Sequence, residues 1–481
     1  MEAAGGEIFR LKDSHGTGKH GSGNTEGTGS RAVWTTPLLK TRLDRRRYAA
    51  LVTLGGFAAS IWSWGHPASA GATPTPAGTR ARLPGPVADC LTHRPSCYTP
   101  QAIRTAYGIQ PLLEHRIDGH GVTVVLPETA ATAPEQPPAV TDIRRDLADF
   151  DRRFSLPRPR IQVITTLSGS SSSPWLARLE EVQDTELVHA VAPDATIAEL
   201  LVDPTALSTP AKAAATFDEV TRIAAGRGEV ISLSLSLGEH FFSAKEVSLI
   251  HSALEYARSR HLTFVGSSGD DGVLGKGSTS PQVKEVSLPA SDPLVLSVGG
   301  TSLDANPVTG ARILETAWNT PAGSTTDSRA SGGGFSHLFA RPSYQDGVAG
   351  IGAMRGVPDV AADASPYTGM AIALGAPGGS YLLVGAGGTS AAAPLWAGLI
   401  ALADQEAKHP LGFVNPAIYR IARSSNYHKA FHDVISGNNT MTLVSNSEPI
   451  TITGYRAGPG WDPVTGWGTP DARVFVSLLA R

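Results

Sequence analysis

A mainly parallel α/β sheet flanked by helices is the fold this sequence predicts, and three observations predict it. Short apolar runs alternate with segments of helical spacing beyond residue 97. Hydrophobic residues make up 41% of the 481, enough to bury a sizeable core. Charged residues make up only 17%, against 52 Gly and 35 Pro, which excludes a coiled coil, a wholly disordered chain and a charged tail. The formal charge of −3 offers no footprint for nucleic acid, so none is expected as a partner.

Residues 1–47 are rich in Gly, Ser and Arg and end in Arg45, Arg46 and Arg47. The apolar run Tyr48–Trp64 is too short and too broken by Gly and Ser for a membrane span, and Ala68-Ser69-Ala70 supplies small residues suited to signal-peptidase cleavage. Residues 1–70 therefore read as leader and signal peptide of a secreted protein, with an uncleaved, outward-facing N-terminal anchor as the alternative. Removing them takes away 9 basic and 5 acidic side chains and leaves 31 and 38, a formal charge of −7. The two cysteines, Cys90 and Cys97, lie beyond the cut and close a small loop, where export favours a disulfide over a zinc site. Residues 71–96 form a flexible Pro/Ala/Thr/Gly-rich lead-in, and 97–481 shows no repeat or composition break, which indicates one folded domain.

Within that domain Val122–Leu126, Ile161–Thr165, Thr196–Val202, Val230–Ser236, Leu262–Gly266 and Leu294–Val298 read as strands. Between them Ala139–Phe154, Leu176–Val191, Ala211–Ala225 and Ala244–Arg260 carry helical spacing. Such alternation implies a parallel sheet with its site at the carboxyl ends of strands.

The segment Gly387-Gly388-Thr389-Ser390-Ala391-Ala392-Ala393-Pro394 follows the strand-like Tyr381–Val384 and opens the apolar helix Leu395–Ala403. Ser390 thus sits at a helix N-terminus, where backbone N–H groups favour developing negative charge, and Pro394 is expected in the first turn, where its missing N–H costs nothing. A serine N-cap of an ordinary helix is the plain alternative. A nucleophilic serine needs a base, yet neither His120, in a Gly-rich turn, nor His189, late in a helix, begins a helix in a His-Gly-Thr pattern. Glu180 and Asp184 are four residues apart and share one helix face, and two buried carboxyls that close raise one pKa and can share a proton. Asp270, in Ser267-Ser268-Gly269-Asp270, stands at a strand's carboxyl end, where a protonated Asp can donate to an oxyanion.

Together these residues resemble the sedolisins, serine-carboxyl peptidases of subtilisin-like fold, over roughly residues 97–475. Glu180, Asp184 and His189-Ala190-Val191-Ala192-Pro193 match the family's Glu-x-x-x-Asp helix and its Ala-Pro ending; the Asp270 and Ser390 segments match the oxyanion and nucleophile motifs. Cys97-Tyr98-Thr99-Pro100, Pro289-Ala290-Ser291 with Val298-Gly299-Gly300-Thr301, Ser331–Ser336 and Val357–Val360 look familiar as well. The resemblance implies acid-acting peptide hydrolysis through an acyl-enzyme on Ser390, with Glu180 as base, Asp184 as its partner and Asp270 as oxyanion donor. It also implies that Glu128 extends the carboxyl network and that Ser234-Leu235-Ser236-Leu237-Gly238 lines the cleft, with Leu237 where the family often has an aromatic residue.

Near the C-terminus, His432–Gly437 and Gly458–Asp462 resemble the family's single Ca²⁺ site, which assigns the side chains of Asp433 and Asp462 and the carbonyls of Val434, Gly458 and Gly460 as ligands. The polar stretch Asn438–Ser447 between them is expected to gain little from burial. Sedolisins are normally made with a long folded prosegment, whereas here about twenty-five residues separate the cut from Cys97, so a separately supplied prosegment is a further expected partner beside peptide or protein substrates of a monomer. A catalytically inactive, peptide-binding relative, a histidine-dependent hydrolase and a calcium-stabilised surface protein are the rival readings.

Overall fold

The computed structural model describes residues 90–91, 97–129, 142–165, 174–278, 283–323, 327–375, 381–445 and 448–481. The proposed leader, the cut near Ala70 and nearly all of the lead-in lie outside the described residues. Cys90 and Cys97 form the expected disulfide.

The core is an eight-stranded sheet. In chain order its strands are β1 (Thr123–Thr129), β2 (Arg160–Thr165), β3 (Thr196–Val202), β4 (Val230–Leu233), β5 (Thr263–Ser267), β6 (Leu296–Ala305), β7 (Arg312–Ala317) and β8 (Val360–Asp363). Across the sheet they run β8-β6-β5-β4-β1-β3-β2, all parallel, while β7 pairs antiparallel with β6. The predicted strands are all present; Val122–Leu126 extends to Thr129 and Leu294–Val298 becomes the longer Leu296–Ala305, while the other starts lie within a residue of those expected. One is shorter: Val230–Ser236 stops at Leu233, because Ser234 leaves the ladder and turns its polar groups to the residues described below.

Helices cover both faces. α1 (Ile143–Phe154), α2 (Pro174–Val191) and α5 (Thr389–Ala407) pack with Val124, Leu126, Ile197 and Val298 in the larger core. α3 (Pro210–Ala224) and α4 (Ala244–Ser259) pack on Val125, Leu200, Ile231 and Phe264 in the other. The period-two alternation of strands sorts residues between these faces. It sends Glu128 of β1 and Glu199 of β3, out of phase with Val125 and Leu200, to the side that α2 covers.

α2 is buried nearly all round, although it carries Glu180, Glu181, Asp184 and Glu186. Polar groups with so little water must find partners or give up charge.

Candidate active site

Glu180 and Asp184 lie one turn apart on the sheet side of α2 and are both buried. Burial raises both pKa values: Glu180 is pushed up to about 7, and Asp184, which also feels Glu180, rises well above the usual carboxylate range. Glu128 behind them is likewise raised well above it, by burial first and by Asp184 and Glu180 next, while a hydrogen bond joins it to Asp184. Within this trio Glu180 gives up its proton most readily, because the Ser390 hydroxyl and the Lys276 ammonium both favour its ionised form. The single charge the cluster can hold cheaply therefore rests beside the serine. Glu181 turns away, to Arg178, whose guanidinium also holds Asp146.

Ser390 follows the turn that ends at Gly388, whose φ of +78° suits glycine; a Cβ there would stand 2.7 Å from Asp270 Oδ2. Helix α5 begins at Thr389, so Pro394 lies inside the helix rather than in its first turn. The consequence is chemical. An N–H at position 394 would have bonded to the Ser390 carbonyl, and proline leaves that oxygen free. Ser234 fills the gap: its Oγ is 3.3 Å from Ser390 O and 2.6 Å from Asp184 Oδ2. With Asp184 protonated, Asp184 donates to Ser234 Oγ and Ser234 donates to Ser390 O, which satisfies all three groups. Ser390 Oγ itself leans on Ser234 O at 3.4 Å. Among the described residues neither Glu180 oxygen makes a well-aligned hydrogen bond, although the Ser390 hydroxyl lies close enough to favour the ionised form of Glu180.

Asp270 is held from the other side. Its Oδ1 accepts from Thr389 N at 2.7 Å and from Thr389 Oγ1 at 2.9 Å. A proton on Asp270 therefore belongs on Oδ2, the oxygen that faces the Gly388 turn. His120 pairs with Asp194 and His189 with Asp151, and no histidine is bonded to Ser390 among the described residues.

The subtilase family model matches residues 169–429, more than half of the chain, a span that includes Glu180, Asp184, Asp270 and Ser390. The chain belongs to the subtilase family, in its sedolisin branch. Kumamolisin of Bacillus sp. (strain MN-32) is 30% identical over 397 residues, 80% of this chain and 64% of the relative. Sedolisin of Pseudomonas sp. (strain 101) is 38% identical over 219 residues, 45% of this chain and 34% of the relative. Human tripeptidyl-peptidase 1 is 30% identical over 274 residues, 52% of this chain and 43% of the relative. The chain thus spans less than two thirds of the length of these curated relatives. The solved structure of Pseudomonas sedolisin, a serine-carboxyl proteinase complexed with two molecules of pseudo-iodotyrostatin, superposes with a TM-score of 0.66 at 28% identity, covering 79% of this chain and 97% of that one.

Two features of this sedolisin-type site went unread in the sequence. Ser234 appeared only within the cleft-lining strand, although Pro394 four residues past the serine signals a carbonyl in need of a donor. Gln183, between Glu180 and Asp184, is the second. It is buried, and its Oε1 accepts from Gly387 N at 2.9 Å, tying the turn before Ser390 to α2.

The C-terminal residues assigned to calcium come together. Asp433 Oδ2 accepts from Gly460 N at 2.9 Å, and its Oδ1 is buried with no partner. Asp462 Oδ1 accepts from Val464 N and Thr465 N, and its Oδ2 from Thr465 Oγ1 and, at 3.2 Å, from Gly458 N. Burial pushes Asp462 up to about 6. Thr465 Oγ1 lies 3.5 Å from Val434 O. The orphaned Asp433 oxygen and this oxygen-rich donor set fit a hard cation. The stretch between them is more anchored than its composition implied: Asn439 and Met441 are buried, Met441 against Val273, Leu274, Ala330 and Ile452.

Proposed function

We propose that the chain hydrolyses peptide bonds through an acyl-enzyme on Ser390, with Glu180 and Asp184 as the base system and Asp270 as oxyanion donor. The observation that carries this reading is the convergence of a buried carboxyl pushed up to about 7 and a Thr389-anchored carboxyl on a helix-terminal serine that, among the described residues, is bonded to no histidine.

Ser390 Oγ attacks the scissile carbonyl while its proton passes to Glu180, and the new oxyanion accepts a hydrogen bond from the Oδ2 proton of Asp270. The tetrahedral adduct collapses as Glu180 hands its proton to the departing amine. Water then repeats the sequence on the ester and releases the acid. Asp184, neutral and bonded to Ser234 and Glu128, keeps Glu180 facing the serine. Calcium held by Asp433, Asp462 and the carbonyls of Val434, Gly458 and Gly460 would supply charge that fixes the C-terminal loops. Export with cleavage near Ala70, a separately supplied prosegment and a monomeric state complete the proposal; N-terminal sequencing of the secreted product tests the first of these. Among the described residues no helix is long and apolar enough to cross a membrane.

The central test is Ser390→Ala, with digestion of a peptide library by both proteins at several acidic pH values. Loss of cleavage with retained melting behaviour is expected; cleavage by the variant within tenfold of wild type rejects Ser390 as nucleophile.

A further inference from the structure

Next to the base lies a second group of buried acids that the mechanism leaves unused. Arg178 of α2 holds two of them at once: its Nη1 is 2.9 Å from Glu181 Oε2, and its Nε and Nη2 are 3.1 and 2.5 Å from Asp146 Oδ2 on α1. At most 6% of any of these three side chains is exposed. Burial favours a neutral Glu181, and the ion pair and hydrogen bond with Arg178 oppose it.

Two strands bring further acids against the same helix. β1 and β3 are parallel neighbours with Leu126 opposite Glu199, which places Glu128 and Glu199 on one face, the face that α2 covers. Glu199 Oε1 accepts from Thr185 Oγ1 of α2 at 2.6 Å. Its Oε2, like Glu128 Oε1, is buried and meets no hydroxyl or N–H donor among the described residues. What these acids meet is other carboxyls: Glu199 meets Glu181, and Glu128 meets Asp184. Such a contact is favourable only when one partner carries a proton. In the first pair the proton belongs on Glu199, because Arg178 binds Glu181 as an anion. The groups acting on Glu128 are then Asp184 and Glu180 on one side and Glu181 and Glu199 on the other, all acids. Of the remaining ionisable groups on α2, Glu186 accepts from Ala373 N and His189 pairs with Asp151.

We propose that Glu181, fixed by Arg178, is a positioning residue for the base: its charge keeps Glu128 protonated and so confines the cluster's single mobile charge to Glu180, beside Ser390. The inference rests on the peptidase reading above and gives a role to residues outside it. With Glu181 neutral, Glu128 and Glu180 compete for that charge, and a charge on Glu128 cannot take the serine's proton.

The test removes charge at two positions and reads steady-state kinetics on one peptide at the optimum pH. Glu181→Gln keeps an oxygen for Arg178 and for Glu199 at nearly the same volume. It should lower kcat by about tenfold, the redistribution between two acids that one unit of altered pKa produces, with KM unchanged. An amide at position 128 cannot take the charge, so in a Glu128→Gln background Glu181→Gln should add no further loss, and the double variant should match Glu128→Gln within about twofold. A mere packing role for Glu181 would instead multiply its loss onto that of Glu128→Gln. Arg178→Met, which removes the cation that keeps Glu181 ionised, should reproduce both the loss and its dependence on Glu128. Ser390-dependent cleavage with kcat of Glu181→Gln close to wild type, or a loss that persists undiminished in the Glu128→Gln background, overturns the role of Glu181 and leaves the peptidase reading standing. Failure of wild type to cleave this peptide or a mixed library overturns both.

Discussion

Raising the pH should unfold this protein from the inside, and the buried carboxyls say by how much. Glu180 moves from an ordinary 4.5 to about 7 on folding, a span of about 2.5 units, and each unit corresponds to about 1.4 kcal/mol. Its folded pKa lies above its unfolded one, so the folded state binds the extra proton. The associated stability is complete below about pH 4.5 and is lost as the pH rises through about 7. The loss from this group alone approaches about 3 kcal/mol by pH 8. Glu128 and Asp184 are raised further in the same direction, and because the three interact their contributions do not add. Melting would be followed from pH 4.5 to 8 in chelator, which removes any pH-dependent calcium binding from the comparison. Tm should fall by at least ~5 °C over that range. Glu128→Gln exchanges a neutral acid for a neutral amide, so it should leave Tm at pH 4.5 nearly unchanged and reduce the fall at pH 8. A wild-type Tm that is flat or rises with pH would refute the claim that these carboxyls are buried neutral.

Four further outcomes are expected. Activity should follow a bell-shaped pH profile peaking below pH 7, because base and oxyanion donor are needed in opposite protonation states; Glu180, at about 7, supplies one limb, and an optimum above pH 7 without an acid limb would return the role of base to a histidine. Glu180→Gln and Asp184→Asn should each lower kcat by at least ~100-fold at nearly constant KM, read by steady-state kinetics. Gln183→Leu breaks the Gly387 tether at similar volume, so kcat should drop about tenfold while a peptide-analogue Kd holds; equal loss in both would mark a general packing defect. Saturating calcium at a hundredfold excess over its Kd should stabilise wild type by about 2.7 kcal/mol, and Asp462→Asn should lose that gain; a melt indifferent to chelator would remove the metal from the picture.

Most of the sheet was legible because β1 to β6 carry β-branched and leucine runs flanked by helical spacing. β8, Val-Ala-Ala-Asp, was not, since a strand buried on both faces and built of alanine has no alternation to read. Glu180, Asp184, Asp270 and Ser390 could be picked out by type and position, and the structure gathers them around one helix terminus. The supporting residues were hidden for a physical reason. Ser234 and Gln183 matter through contacts 50 to more than 200 positions away, Ser234 with Asp184 and Gln183 with Gly387, and neither residue type nor local spacing encodes such a meeting. Pro394 was misplaced for a related reason: the helix begins at Thr389, as soon as Gly388 has turned the chain, well before the apolar run that marks a helix in the sequence.

Asp462 and Asp270 lie far apart in sequence, yet a short chain of hydrogen bonds joins their segments. Val464, two residues past Asp462, accepts from Ser331 Oγ at 2.7 Å, and that same Oγ accepts from Gly300 N at 2.9 Å on β6. The residues on either side of Ser331 grip the active-site turn: Ala330 N donates to Asp270 O at 2.9 Å and Gly332 N to Gly269 O at 2.7 Å. Asp433 is tied in as well, since Ser436 O accepts from Ala317 N at 2.9 Å, next to Trp318, whose carbonyl accepts from Ser331 N. A loosened loop at Asp433 and Asp462 would therefore release Ser331 first and the Gly269–Asp270 turn next. Because Thr389 clamps only one oxygen of Asp270, a shift in that turn would move Oδ2 relative to the oxyanion and lower kcat before the sheet itself melts. Acid would weaken a cation site built on Asp433 and Asp462, because protonated carboxyls do not bind a metal. On the proposed reading, the pH range of activity would be bounded below by retention of calcium and above by the buried carboxyl cluster on α2.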